Sequence, residues 1–266
     1  MMNLSCLLPL LQELPAYKQL ARQFPSATAE HRIEIVDAAK PYFIAAFYQK
    51  LASPMVVITA NPEDARKLYE QLQIWCPPSA SLFRFPKLDF LASGQFPPPT
   101  STALERLQVL AALTLHDSEL GTPGHPPLIV ASALASISKT TTAGDFASVC
   151  HTQAQGMSTD PLDLLRKWQE MGYEMEDTVE VPGTISHRGG IVDIFPVSSQ
   201  SPYRIEFSGN QIESIRTFNP ENQCSIKPVH SITITPARES VGTGNILDYL
   251  GSNYFVVLDV PEEIKP

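Results

Sequence analysis

The sequence predicts an α/β fold: a parallel-sheet domain with a smaller α+β domain inserted into its chain. Three observations predict it. Continuous apolar runs of strand length alternate with helical patterns up to about residue 136, the order of a parallel sheet covered by helices. From about Thr140 the texture changes to one helix followed by short alternating strands. Near the end, NYFVVLDVP returns to a continuous apolar run.

In chain order, residues 1–20 read as an amphipathic helix with a proline break. They are not a signal peptide, because no basic residue precedes the apolar stretch and Gln12 and Glu13 interrupt it. Residues 30–36 have strand character in IEIV, and DAAKPYFIAAFYQKLA follows with Phe43, Phe47 and Leu51 at helical spacing. Pro41 fits the first helical turn, where its missing N–H costs nothing. MVVITA is a buried strand. NPEDARKLYEQLQIW is a helix capped by Asn61, with Pro62 at its first position and acids in its first turn. SLFRF is a strand, TALERLQVLAALTL a helix with Leu104, Leu107 and Leu110 on one stripe, and GTPGHPP a connector. LIVASALASI gives a further strand running into a short helix. Beyond it, PLDLLRKWQEMGY is helical, and TVEVPG, ISHRGGIVDIFPV, YRIEFSG and QIESIRTFN are strands, the last two joined by a Gly209-Asn210 hairpin turn. SITITPA and NYFVVLDVP complete the strands. The expected boundaries are 1–25 for the helical segment, 26–136 for the first part of the α/β domain, 137–221 for the inserted domain and 222–266 for the return. DVPEEIKP ends just after a strand without a cap, so the chain is expected to be truncated there.

Composition narrows the function. No run approaches ~18 apolar residues, so no membrane helix is expected and a cytoplasmic location follows. Cys6, Cys76, Cys150 and Cys224 are scattered without a CxxC pair, which argues against a metal cluster or a disulfide framework. A net charge of −9 opposes general tracking of a phosphate backbone and directs attention to protein partners. His31, His116, His125, His151, His187 and His230 are far apart and no GxSxG elbow is present, so no catalytic residues are assigned.

A P-loop would be the decisive motif, and its place is before the Phe43 helix. Aligned on Lys40, GxxxxGK[ST] fails at three positions: Glu34 and Ala39 replace the glycines and Pro41 replaces the hydroxyl residue. Without glycine the amides cannot converge on phosphate, and Glu34 repels it. The parallel-sheet domain is therefore degenerate P-loop-like, and no cofactor is expected to bind around Lys40. No DExx-type carboxylate motif is evident either.

Two stretches carry a family resemblance. One is FPKLDFLASGQFPPPTSTALERLQVLAAL. The stronger is GYEMEDTVEVPGTISHRGGIVDIFP with YRIEFSGNQIESIRTFNPENQCS, in which Val-x-x-Pro-Gly, Arg-Gly-Gly, Asp-Ile-Phe-Pro and Glu-Ser-Ile-Arg-x-Phe fall in order. Over residues 28–260 the chain resembles the bacterial transcription-repair coupling factors (Mfd) and their relative UvrB. Residues 94–100 run straight into the ERL helix with no room for a DNA-gripping hairpin, which favours the coupling factors. The resemblance implies UvrB-like domains in the order 1a-2-1b, with the inserted domain binding the excision-repair protein UvrA. It further implies that RNA polymerase, DNA, ATP and magnesium are engaged only by domains outside these 266 residues. The alternative is a UvrB-like, DNA-damage-binding, ATP-dependent repair protein.

Within the inserted domain Arg188, Arg204 and Arg216 come from adjacent strands, flanked by Phe195, Phe207 and Phe218. Arginine and aromatic residues are enriched where interfaces gain their energy. Gly189-Gly190 permits a bulge or sharp strand entry that presents Arg188. The expected partner-binding set is Arg188, Gly189, Phe195, Arg204 and Arg216, while Phe207 and Phe218 are expected in the core. The plain reading is that the phenylalanines fill the core and the arginines pair with Glu180, Glu206 or Glu213. Asp193 is expected to be a structural carboxylate.

Overall fold

The computed structural model describes residues 3–23, 30–88, 101–116, 125–240 and 242–264. In chain order it runs through helices α1 (Leu8–Gln12), α2 (Pro15–Gln23) and α3 (Lys40–Leu51), strand β1 (Met55–Thr59), helix α4 (Pro62–Trp75) and strand β2 (Leu82–Phe85). Next come α5 (Ser101–His116), β3 (Leu128–Ser132), α6 (Ala133–Ser136), α7 (Ala143–Val149), β4 (His151–Ala154) and α8 (Pro161–Glu170). The strands β5 (Glu174–Met175), β6 (Thr184–Arg188), β7 (Ile191–Ile194), β8 (Tyr203–Ser208), β9 (Gln211–Phe218), β10 (Ser225–Pro228) and β11 (Ser231–Ile234) follow. β12 (Phe255–Leu258) and α9 (Pro261–Ile264) end the described chain.

Two compact units are present. The first comprises residues 1–89, 123–138 and 246–266, the second 90–122 and 139–245. The first unit is built on a sheet of order β12-β1-β3-β2, parallel throughout, as the continuous apolar runs require. β1 and β3 are buried along their whole length. Met55, Val57, Leu128 and Val130 pack into one core with Leu68 and Leu72 of α4 and the Ala45–Tyr48 face of α3. Tyr17 of α2 joins it edge-on to Phe47 and donates its hydroxyl to Ala46 O at 3.0 Å. Burial of that phenol pushes its pKa up to about 12. Asn61 caps α4 as expected, accepting from Asp64 N–H at 3.0 Å.

The second unit carries a six-stranded sheet of order β10-β9-β8-β7-β6-β5 and a two-stranded β4–β11 ladder. Strands β6 to β10 form an antiparallel meander. β8 and β9 meet at the Gly209-Asn210 turn, with Ser208 opposite Gln211 and Gly209 at φ +61°. Helix α8 begins at Asp160, whose carboxylate accepts from Leu162 and Asp163 N–H.

Four expectations need correction. Residues 33–36 form no strand: the IEIV run joins no sheet and is largely exposed, so its apolar residues have no partner surface that would hold them in a ladder. TVEVPG is not a strand either. Pro182 lacks the N–H a ladder needs, and a brief parallel pairing forms earlier at Glu174–Met175. α5, read as part of the first layer, belongs to the second unit. So do β10 and β11, read as lying beyond a boundary at 222, because each pairs within that unit. The proline-rich stretch before α5 lies outside the described residues.

Candidate partner-binding face of the six-stranded sheet

Strand register decides which side chains share a face. In one row Ser186 lies opposite Asp193, Asp193 opposite Arg204, Arg204 opposite Arg216, and Arg216 opposite Pro228. In the next row Arg188 lies opposite Ile191, Ile191 opposite Glu206, and Glu206 opposite Ser214. Members of the two rows are two residues apart on each strand and so project from the same side. The three arginines singled out in the sequence therefore occupy one face. The reverse face carries Ile185, Val192, Ile194, Ile205 and Ile215, all buried.

The three arginines differ in what they already hold. Arg204 donates from Nε and Nη2 to the two carboxylate oxygens of Asp193, both at 2.8 Å, and from Nη1 to Gln223 O at 3.1 Å. Its guanidinium lies 4.7 Å from the Phe218 ring centre. Hydrogen bonding to Asp193 raises its pKa further, although partial burial opposes this. Asp193 is thus the structural carboxylate the sequence suggested, and Arg204 is mostly consumed within the domain. Arg216 meets Glu206 at 3.3 Å and keeps 43% of its side chain exposed. Arg188 is exposed. Its Nη2 donates to Asp177 O and to Thr178 Oγ1, tying the end of β6 to the loop after β5. That tie walls a depression of about 620 Å³ lined by Met175, Glu176, Asp177, Ser186, His187 and Arg188.

Gly189-Gly190 is the two-residue turn of the β6–β7 hairpin, with Gly189 at φ +61° and open space where a Cβ would stand. A sharp strand entry is present, and Arg188 stands immediately before it. Phe195 is not available to a partner. It is 6% exposed and packs with Val179 and Phe218 in a small core on this same side of the sheet. Phe195 lies between Ile194 and Pro196, and nothing local in that run separates an interface anchor from a core residue. Ile191 is an apolar group left on the surface, 36% exposed between Arg188 and Glu206.

Sequence reasoning missed two charged pairs. Arg106 of α5 is fully buried and meets Glu239, also buried, through Nη2–Oε1 at 2.6 Å and Nε–Oε2 at 2.9 Å. In the first unit, Lys40 Nζ lies 2.6 Å from Asp259 Oδ1 and 2.8 Å from Asp37 Oδ1. Burial alone would lower the Lys40 pKa, but its hydrogen bonds to Asp259 and Asp37 carry it above its ordinary value. The signal for Asp259 was present in FVVLD, a carboxylate directly after a buried-type strand, although it lacks the DExx form. Among the described residues no helix is long and apolar enough to cross a membrane, and no group of three His, Cys, Asp or Glu is placed to hold a metal.

Residues 152–239 match the UvrB interaction domain family. That span contains β5 to β11, all of β4 but His151, and every residue of the candidate face. The chain is similar to the transcription-repair-coupling factor of Bacillus subtilis (strain 168), 30% identical over 204 residues, covering 77% of this chain and 17% of that protein. It is 30% identical over 207 residues to the transcription-repair-coupling factor of Myxococcus xanthus, covering 76% of this chain and 17% of that protein. The UvrABC system protein B of Thermosipho africanus (strain TCF52B) is 22% identical over 219 residues, covering 79% of this chain and 32% of that protein. The aligned stretch is thus about a sixth of each coupling factor's length.

Proposed function

We propose, from the premise that this chain is a UvrB-like region of the transcription-repair coupling factor kind, that it is a docking module for UvrA in transcription-coupled repair and performs no nucleotide chemistry itself. The observation that carries this reading is the shared face of Arg188, Ile191 and Arg216 within residues 152–239. An exposed apolar residue beside arginines is the composition of an interface centre. Arginine pairs carboxylates bidentately, so the matching surface on UvrA presents acids around an apolar contact.

Lys40 supports the second half. In a working P-loop the lysine must be free for phosphate, whereas here two carboxylates already engage it. Engagement of RNA polymerase and of DNA, with ATP and magnesium, is assigned to parts of a longer protein outside this sequence.

Calorimetry of the chain with purified UvrA tests the reading, and saturable binding is the expected result. A titration with Mg-ATP, and filter binding to duplex DNA at two salt concentrations, tests the alternative of an ATP-dependent damage-binding protein. No nucleotide heat and at most weak, salt-sensitive DNA binding are expected.

A further inference from the structure

Lys40 opens α3 and reaches the turn that follows β12. Its two carboxylate partners are not equivalent. The Asp37 side chain is 94% exposed, so water screens that contact, whereas the Asp259 side chain is 19% exposed against 21% for Lys40. Asp259 also closes the sheet ladder, its N–H donating to Ile58 O at 2.8 Å at the end of β1. The next residue, Val260, sits at φ +52°, a left-handed conformation that β-branched side chains resist. Such a backbone persists only where its surroundings over-determine it. Arg32 and Glu262 meet at 2.9 Å on the surface beside the same turn, a contact that water screens in the same way.

The strand that these contacts hold needs holding. Among the described residues β12 is paired on one side only. Phe255 and Val257 pack into the core, but Tyr254, Val256 and Leu258 are exposed. In a nucleotide-binding loop the ligand's phosphates occupy the space between the helix start and the lysine ammonium. Here Asp259, just past the end of β12, supplies the negative charge.

We propose that the Lys40–Asp259 ion pair is a built-in substitute for bound phosphate, clamping the start of α3 to the end of β12 so that this edge strand stays docked without a ligand. The clamp makes the first unit indifferent to nucleotide, a role distinct from any partner binding by the six-stranded sheet.

Hydrogen exchange of the Phe255–Leu258 amides and of Asp259 in the full chain tests this. Lys40→Met and Asp259→Asn are each expected to speed exchange there several-fold. The double variant should be no worse than the poorer single, because the interaction can be lost only once. Lys40→Arg, which keeps the charge, should retain protection, and Mg-ATP should leave the wild-type pattern unchanged. Unfolding of Lys40→Met with survival of Lys40→Arg gives the same answer. Equal protection in Lys40→Met and wild type, equal loss in Lys40→Arg and Lys40→Met, or slowing of wild-type exchange by Mg-ATP would overturn it.

Discussion

Arg204 on β8 grips Asp193 on β7 through two parallel hydrogen bonds of 2.8 Å, while its guanidinium covers Phe218. One side chain thus joins two strands, the small Val179–Phe195–Phe218 core and, through Gln223 O, the loop before β10. Removing it strands a buried carboxylate. Arg204→Ala is expected to destabilise the second unit by ~3 kcal/mol, read as a lower urea midpoint. Arg188→Ala, which loses only exposed hydrogen bonds to Asp177 O and Thr178 Oγ1, should lower that midpoint by less than a third as much, which separates a contact residue from one that builds the surface.

The Arg106–Glu239 pair lies wholly out of water. Breaking one side leaves an uncompensated buried charge, so Arg106→Ala should cost about 3–5 kcal/mol. Replacing both partners with apolar residues, Arg106→Met with Glu239→Leu, should recover much of the loss. A double variant as unstable as Arg106→Ala would show that the remaining contacts of Arg106, including that to Lys139 O, matter more than the charge.

His151 makes stability depend on pH. Trp168 Nε1–H donates to its Nε2 at 3.0 Å, and Nδ1 faces Val149 O at 3.1 Å, an arrangement satisfied by the neutral ring. Burial lowers its pKa below 6.5, the Val149 carbonyl opposes the shift, and Lys167 adds to it. The unfolded chain therefore takes up the proton first. The contribution is complete above the ordinary histidine value and is lost as pH falls through that value towards the depressed one. Urea midpoints at about pH 7.5 and 5.5 should differ in that direction, and His151→Asn should narrow the gap. An unchanged gap would assign the dependence to other groups.

Two glycines with positive φ should respond differently to alanine. At Gly172, φ +97°, a Cβ would stand 2.5 Å from Arg238 Cβ and 2.9 Å from its backbone nitrogen. At Gly189, φ +61°, nothing lies within 4 Å. Gly189→Ala should cost ~1–2 kcal/mol from backbone conformation alone. Gly172→Ala should cost clearly more, because backbone must move. Thermal melts of the two variants compare them directly.

Elements whose sequence fixes their own environment were legible. Asn61-Pro62 and Asp160-Pro161 start helices through local hydrogen bonds, and MVVIT and LIVAS can only be central strands. Failures came where pairing or long-range contact decides. IEIV has strand composition but joins no sheet, β10 continued the meander from β9, and β11 joined the second unit through β4, far back along the chain. At the candidate face, alternation placed three arginines together. Nothing local distinguished Arg204, consumed by Asp193, from Arg188, or revealed Phe195 as core. The pairings Arg106–Glu239 and Lys40–Asp259 span 133 and 219 residues, beyond any local pattern.

Calorimetry of UvrA against wild type and Arg188→Ala tests most directly whether the exposed part of this face binds UvrA. Saturable binding by wild type, weakened by ~2 kcal/mol in an Arg188→Ala variant that stays folded by its urea midpoint, is the predicted result. Absence of binding by the folded wild-type chain at protein concentrations of tens of micromolar (a Kd weaker than ~100 μM, or about −5.5 kcal/mol) would contradict it.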